Sequence, residues 1–260
     1  MNILIFGAGM MGKAIAYDLS CYSDFDTITI ADKDTHAISS VNNFIKDKRI
    51  NPVVLDAAKS KRVKEILREQ DIAISALPYM FNYMLAKNAI ETKTHFLDLG
   101  GNNDIVKKEI SLDKEARKRN VLVIPDCGLA PGLTSIIARD IVDRMEYIDY
   151  VKIRVGGLPL YPKPPLNYQI VFSPLSKGKI NREKYKMEYE MIDYYDEKNK
   201  ITAMMRTTGY STSIIAQMIE REDIMDKGVL TPEKVVPPDI MFNELKKRGI
   251  AVNRKITKVK

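Results

Sequence analysis

The chain has 260 residues, 45% of them hydrophobic, enough for a sizeable core in one large domain or two small ones. Its net charge of +7 comes from residues 246–260, where Lys246, Lys247, Arg248, Arg254, Lys255, Lys258 and Lys260 stand without an acid; the rest is balanced, and no aromatic-interleaved basic stripe points to nucleic acid. No apolar run approaches the roughly 18 residues of a membrane span, and Cys21 and Cys127 fit neither a disulfide framework nor a zinc motif, so we expect no membrane, no metal and a reducing, cytoplasmic setting.

The apolar run Ile3 to Phe6 reads as a strand; no basic stretch precedes it as in a signal peptide. It stops at Gly7-Ala8-Gly9-Met10-Met11-Gly12 and gives way to a helix with Ala14, Ile15, Tyr17 and Leu19 as apolar positions. This is G-x-G-x-x-G in its required context, after a strand and opening a helix. Gly7 permits the tight turn, Gly9 lets backbone approach a pyrophosphate, and Gly12 lets the helix pack close to the sheet. The free N–H groups at the helix start, from Met10 and Met11 onward, favour phosphates. The alternative is a glycine-rich turn closing an ordinary strand–helix unit.

The next strand, Thr27 to Asp32, ends in an acid 20 residues after Gly12, where a dinucleotide fold bonds the ribose hydroxyls. A carboxylate there repels a 2′-phosphate and favours NAD over NADP; Lys33 weakens that preference slightly. The alternative for Asp32 is to cap a helix over 34–44, and the two roles can coexist. A short strand at Pro52 to Leu55 and a helix over 57–69 follow. The fourth strand, Asp71 to Ser75, ends at Ala76-Leu77-Pro78, because proline cannot continue a central ladder; these residues leave room beside a nicotinamide ribose. A helix over 80–91, a fifth strand from His95 to Leu99, a surface helix over 104–119 carrying Glu109, and a sixth strand from Val121 to Ile124 complete the alternation. The pattern implies an α/β, Rossmann-type doubly wound parallel sheet with ligands at the strands' carboxyl ends.

From Gly132 a helix runs to about Arg144. Tyr147 to Val155 then alternates like a strand, Leu158 to Pro165 is irregular, and Tyr185 to Tyr195 alternates strongly with Ile201 to Arg206 as its returning partner. This describes a small antiparallel α+β addition. Helices over 211–221 and 238–248 and the basic tail close the chain. The expected division is 1–132 for the dinucleotide-binding domain, 133–237 for a reduced substrate and dimerisation domain, and 238–260 for a C-terminal helix and tail packing back on the first.

Hydride transfer to a dinucleotide needs a group that accepts or shuttles protons near the reacting carbon. His95 starts its strand, at the wrong end of the sheet, and His36 lies near the adenine side, so both read as structural. The catalytic candidates are Asp126, Cys127 and Asp98. Asp126 is placed either to hold a substrate ammonium or serve as base, or to cap the helix near Gly132. Cys127 is either catalytic or a small buried residue. Tyr79 either packs or functions. Arg206 offers a planar fork for a substrate carboxylate, with Thr207 and Thr208 beside it at a helix start; the alternative is an Arg–acid pair with a Thr cap.

The chain resembles the saccharopine dehydrogenase-like family, most of all its L-lysine 6-dehydrogenase branch. The residues that carry this are Gly7–Gly12, Ser75-Ala76-Leu77-Pro78, Leu97-Asp98-Leu99-Gly100, Asp126-Cys127-Gly128-Leu129-Ala130-Pro131-Gly132, 167–174 (N-Y-Q-I-V-F-S-P), Ala203-Met204-Met205-Arg206-Thr207-Thr208-Gly209 and Gly228-Val229-Leu230-Thr231-Pro232-Glu233. The resemblance implies an NAD-dependent amino-acid dehydrogenase that oxidises the ε-amine of L-lysine, with Arg206 beside the site and a homodimer as the assembly. Family members carry a long mixed-sheet domain between the F-S-P block and the strand at Tyr185; here only residues 175–184 join them. A saccharopine-type reductase is the alternative among enzymes; the shortening favours an NAD-binding regulatory or structural protein that has lost turnover, or marks an internally shortened form of an active enzyme.

Overall fold

The computed structural model describes residues 1–157, 175–180 and 183–259. The stretches 158–165 and 167–174, read above as an irregular segment and a family block, lie outside the described residues. Strands β1 (Asn2–Phe6), β2 (Thr27–Asp32), β3 (Ile50–Val54), β4 (Ile72–Ser75), β5 (His95–Asp98) and β6 (Leu122–Ile124) form a parallel sheet in the order β6-β5-β4-β1-β2-β3. The order reverses between β1 and β4, which places a ligand crevice beyond Phe6 and Ser75.

Alternation along the strands explains both faces. Ile3 and Ile5 of β1 face one layer with Ile28, Ile30, Ile72, Ile74 and Leu97. Leu4 and Phe6 face the other with Ala73, Phe96 and Val123. A strand buried on both sides must be apolar throughout, and β1 and β4 are. The first layer is covered by α1 (Met10–Tyr22), α2 (Thr35–Phe44), α7 (Thr134–Arg144) and α9 (Ser211–Glu220). The second is covered by α3 (Ser60–Leu67), α4 (Asn82–Thr92) and α6 (Asp113–Lys118), which follows α5 (Asn103–Ile110).

Helix α9 is buried from Ser211 to Ile219. Ile214, Ile215 and Met218 each stabilise the fold by about 1.5–3 kcal/mol through burial. Its polar residues are all bonded. Ser211 Oγ donates to Thr207 O at 2.7 Å, Thr212 Oγ1 to Cys127 O at 2.9 Å, and Gln217 Nε2 to Asp18 Oδ2 at 3.2 Å.

A second, antiparallel sheet has the order β11-β9-β8-β7, from β7 (Tyr147–Lys152), β8 (Leu175–Ile180), β9 (Glu183–Met191) and β11 (Val252–Lys258). Met187, Tyr189 and Met191 of β9 turn inward, and Tyr189 OH donates to Asp140 of α7.

Three expectations are corrected. The partner of β9 is not Ile201 to Arg206 but the basic tail. Ile201 makes only an isolated bridge with Asp196, and Ala203–Met205 is helical (α8). The tail pairs with β9 through a backbone ladder from Val252 to Lys258, with Lys255 opposite Glu188 and Lys258 Nζ reaching Glu183 at 2.5 Å. Second, β10 (Gly228–Val229) adds a seventh parallel strand beside β6, so the division at 132 and 238 is crossed by β10 in one sheet and β11 in the other. Helices α10 (Pro232–Val235) and α11 (Pro238–Lys247) lie between them. Third, the helix expected over 104–119 is two helices, and Glu109 of α5 is fully buried rather than on the surface.

Candidate functional site

The glycine loop has the geometry its residues imply. Gly7 sits at φ +101°, a turn that L side chains rarely adopt, and its N–H donates to Ala31 O at 2.7 Å. A Cβ on Gly12 would overlap the Gly7 carbonyl oxygen, so only glycine lets α1 start this close to the turn. A Cβ on Gly9 would meet nothing within 4 Å, and no side chain caps α1. An open cradle with uncapped N–H groups beside it fits a pyrophosphate. Met10 is 67% exposed at the same edge, and Met11 is half-buried.

Asp32 ends β2 with its carboxylate turned to the loop. Oδ2 accepts from Ala8 N at 2.7 Å and Oδ1 from Asp34 N at 2.9 Å. The cap of α2 is Asp34, which accepts from His36 N, so Asp32 is not the capping residue. Ala76 and Leu77 lie beside the loop, where a Cβ on Gly7 would be 3.0 Å from Ala76 O and 3.3 Å from a Leu77 methyl; Pro78 follows them and leads into the turn at Tyr79.

The loops after β4, β5 and β6 continue this edge as a row. Gly101 lies beside the Tyr79 ring, and Gly100 abuts the Asp126 carboxylate so closely that no Cβ would fit. Gly128 packs between Leu99 O and the Thr208 methyl. A cleft of about 500 Å³ opens here, lined by Gly101, Asn102, Asn103, Asp104, Ala130 and Pro131.

Asp98 and Asp126 are joined within this row. Asp98 is fully buried, and its Oδ1 accepts from Gly100 N at 2.6 Å and Asp126 N at 3.3 Å. Asp126 takes a left-handed φ of +61°, a conformation Asp tolerates better than most residues. Its carboxyl is half-buried; burial pushes its pKa up, and the Glu233 carboxylate pushes the same way, against a Gly101 backbone bond. Asp126 does not cap α7, which has no side-chain cap. Glu233 is not among the residues the sequence assigns to the site; β10 brings it near Asp126 by pairing with β6, and Thr231 Oγ1 bonds its carboxylate.

The structure does not support the roles expected of Cys127 and Arg206. The Cys127 thiol is fully buried, bonds Ile124 O at 3.1 Å, and burial raises its pKa well above the ordinary value, so it is a packing residue and not a thiolate at the cleft. Arg206 is held by its own chain: Nε meets Asp193 Oδ2 at 2.9 Å, Nη1 lies 3.5 Å from Asp196, and Nη2 donates to Arg248 O at 3.0 Å. Its fork is taken by two carboxylates, which is the Arg–acid pair. Thr207 is buried with Oγ1 on Ala203 O, and only the methyl of Thr208 reaches the site row, at Gly128. The block 203–209 still belongs to the site's frame. Gly209 lets it press onto α1, where a Cβ would be 3.0 Å from the Ala14 methyl.

His95 is at the amino end of its strand, away from the cleft. It accepts from Leu122 N, and burial with nearby Lys227 lowers its pKa to about 4. Cys21 and Cys127 are both free. Among the described residues there is no metal-ligating group and no helix long and apolar enough to cross a membrane.

Known proteins share this frame. The profile described as saccharopine dehydrogenase NADP binding domain matches residues 3–124, and that of the saccharopine dehydrogenase C-terminal domain matches 176–250. The mitochondrial alpha-aminoadipic semialdehyde synthase of Mus musculus is 27% identical over 185 residues, 67% of this chain and 19% of that protein. The saccharopine dehydrogenase [NADP(+), L-glutamate-forming] of Saccharomyces cerevisiae is 26% identical over 187 residues, 68% of this chain and 39% of that protein. This chain therefore spans well under half the length of these relatives. A solved structure of apo saccharopine dehydrogenase (L-Glu forming) from Saccharomyces cerevisiae shares the fold with a TM-score of 0.69 and 12% identity, covering 98% of this chain and 99% of that one. With the glycine loop and both halves of the fold matched, the chain belongs to the saccharopine dehydrogenase family.

Proposed function

We propose that the protein is a nicotinamide-dependent oxidoreductase acting at the carbon–nitrogen bond of an amino-acid amine, with NAD as cofactor and the ε-amine of L-lysine as substrate. The observation that carries it is the placement of Asp126. A half-buried carboxyl with a raised pKa stands at the carboxyl edge of the sheet, in the same row of loops as the glycine cradle. A carboxylate there attracts an ammonium, and its raised basicity suits it to take the proton that must leave before the amine is oxidised. Glu233 adds a second negative charge.

The cofactor preference rests on Asp32. Its carboxylate is oriented by Ala8 N and Asp34 N, and stands where a ribose 2′-phosphate would meet like charge. The open space at Gly9 and the uncapped start of α1 receive the pyrophosphate, and a bound nicotinamide supplies the redox chemistry. A saccharopine-type reaction is the second reading, favoured by the relatives, whose names carry saccharopine and aminoadipic semialdehyde. Both substrates react at a carbon bearing nitrogen, so the same carboxyl serves either.

The test is the appearance of NADH or NADPH absorbance with L-lysine, saccharopine and other amino acids, alongside titration of NAD and NADP binding. Turnover of L-lysine with NAD is expected. Turnover of saccharopine alone selects the second reading. Nucleotide binding without turnover of any amine overturns the enzyme and leaves a regulatory NAD-binding protein.

A further inference from the structure

Three buried carboxylate oxygens have no hydrogen-bond donor: Asp98 Oδ2, Glu109 Oε1 and Glu109 Oε2. They belong to two acids within hydrogen-bonding reach of each other, each fully buried, one at the end of β5 and one in the last turn of α5. Two ionised carboxylates side by side in an apolar interior would each lack solvation and would repel each other. One proton relieves both problems, because it turns one carboxylate into a donor for the other.

We propose that Glu109 holds this proton at neutral pH and donates it to Asp98, and that the pair is a positioning device for the Asp126 turn. The geometry assigns the proton to Glu109. Asp98 Oδ1 already accepts two backbone N–H groups, from Gly100 and Asp126, which stabilise its anion. Glu109 has no such donor and lies at the carboxyl end of its helix, where the dipole disfavours negative charge. The charged groups facing Glu109 from the surrounding elements are Asp98 and Asp126, both acids, and Glu233 lies beyond Asp126. Asp98 and Asp126 push Glu109 the same way as burial does, toward the neutral form.

The consequence reaches the cleft through Asp98. Anionic Asp98 pins Gly100, at φ +73°, and Asp126, at φ +61°, with one oxygen. If Glu109 loses its hydroxyl, Asp98 becomes the group that must take the proton, and its hold on both amides weakens. Glu109 touches no substrate; it acts through Asp98 on the residue proposed to face the amine, and only that last link rests on the function proposed above.

Isotope-edited infrared spectra of the whole chain test the proton. A protonated carboxyl band at neutral pH should be present in the native protein and absent from Glu109→Gln. In Asp98→Asn it should persist at a shifted frequency, because burial still favours the neutral Glu109 and its acceptor has become an amide oxygen. Amide hydrogen exchange by NMR tests the positioning. In Glu109→Leu, Gly100 and Asp126 should exchange about tenfold faster while the core amide of Leu97 is unchanged, and Glu109→Gln should restore both to within about twofold. These arms need no turnover, so they decide the inference even if no amine is oxidised. Where an amine does react, Glu109→Leu should lower kcat and shift the acidic limb of its pH profile, with nucleotide affinity intact and Glu109→Gln rescuing both. Absence of a Glu109-dependent carboxyl band overturns the proton assignment. Native-like exchange at Gly100 and Asp126 in folded Glu109→Leu overturns the positioning role. If Glu109→Leu does not fold, Glu109→Met takes its place, and the same exchange result decides.

Discussion

Arg248 Nε donates to Asp18 Oδ1 at 2.6 Å, with both side chains fully shielded from solvent and a sequence separation of 230. The same guanidinium bonds Glu244 and Gln217 Oε1 and stacks on Tyr22. The C-terminal segment is thereby bolted to the first helix of the dinucleotide fold. Arg248→Ala leaves Asp18 buried and uncompensated, and should cost about 3–5 kcal/mol in urea denaturation. Replacing the pair with Asp18→Leu and Arg248→Met together should cost clearly less.

Arg206 supports a parallel expectation about stability. Because Asp193 and Asp196 occupy its guanidinium, Arg206→Ala should lower stability by roughly 3 kcal/mol. Calorimetry compared with substrate titration checks this. A raised KM at unchanged Tm would return Arg206 to the substrate.

The glycine loop separates folding from binding at two positions. A methyl on Gly9 meets no protein atom, whereas one on Gly12 collides with Gly7 O. Gly9→Ala should keep the native Tm and lose nucleotide affinity, because the methyl fills the pyrophosphate's place. Gly12→Ala should lower Tm itself. Thermal melts with and without NAD distinguish the two.

Asp32→Asn removes the charge and keeps an oxygen for Ala8 N. The ratio of NADP to NAD affinity should rise roughly tenfold, equivalent to about 1.4 kcal/mol. Fluorescence titration with both reduced nucleotides measures it. An unchanged ratio would mean that Asp32 does not face the ribose.

Glu109 makes a prediction about alkaline stability. Its pKa is raised from the ordinary 4.5, chiefly by burial and then by Asp98. The native state therefore binds more protons here than the unfolded chain once pH exceeds 4.5. This contribution to stability is complete below 4.5 and is lost as pH rises toward the raised native value, at up to about 1.4 kcal/mol per pH unit. Glu109→Gln cannot titrate, so its denaturation free energy should fall less steeply between pH 6 and pH 9 (roughly the range where most carboxylates have finished titrating).

Local signals in the chain were enough for the parallel sheet, the glycine cradle, Asp32 and the loop edge. Apolar runs, a spaced glycine triplet and a proline stop act over a few neighbouring residues, so they are written into adjacent positions. Asp98 and Asp126 were legible for the same reason, as acids at the ends of recognisable strands. What only the tertiary structure decided are pairings between distant segments. A basic tail that looks solvated becomes β11 because β9 offers it a backbone ladder over Tyr185 to Met191. A two-residue strand at Gly228–Val229 is too short for any periodicity and brings Glu233 to Asp126. Arg206 offers the same fork to a substrate or to Asp193, and only the fold shows which carboxylate arrives first. Glu109 in a lysine-flanked helix carries no local mark of burial, since its surroundings come from β5 and the loop after β6. Side-chain type and spacing determine what a segment can do; the desolvation and charge that select among those options depend on which other segments pack against it.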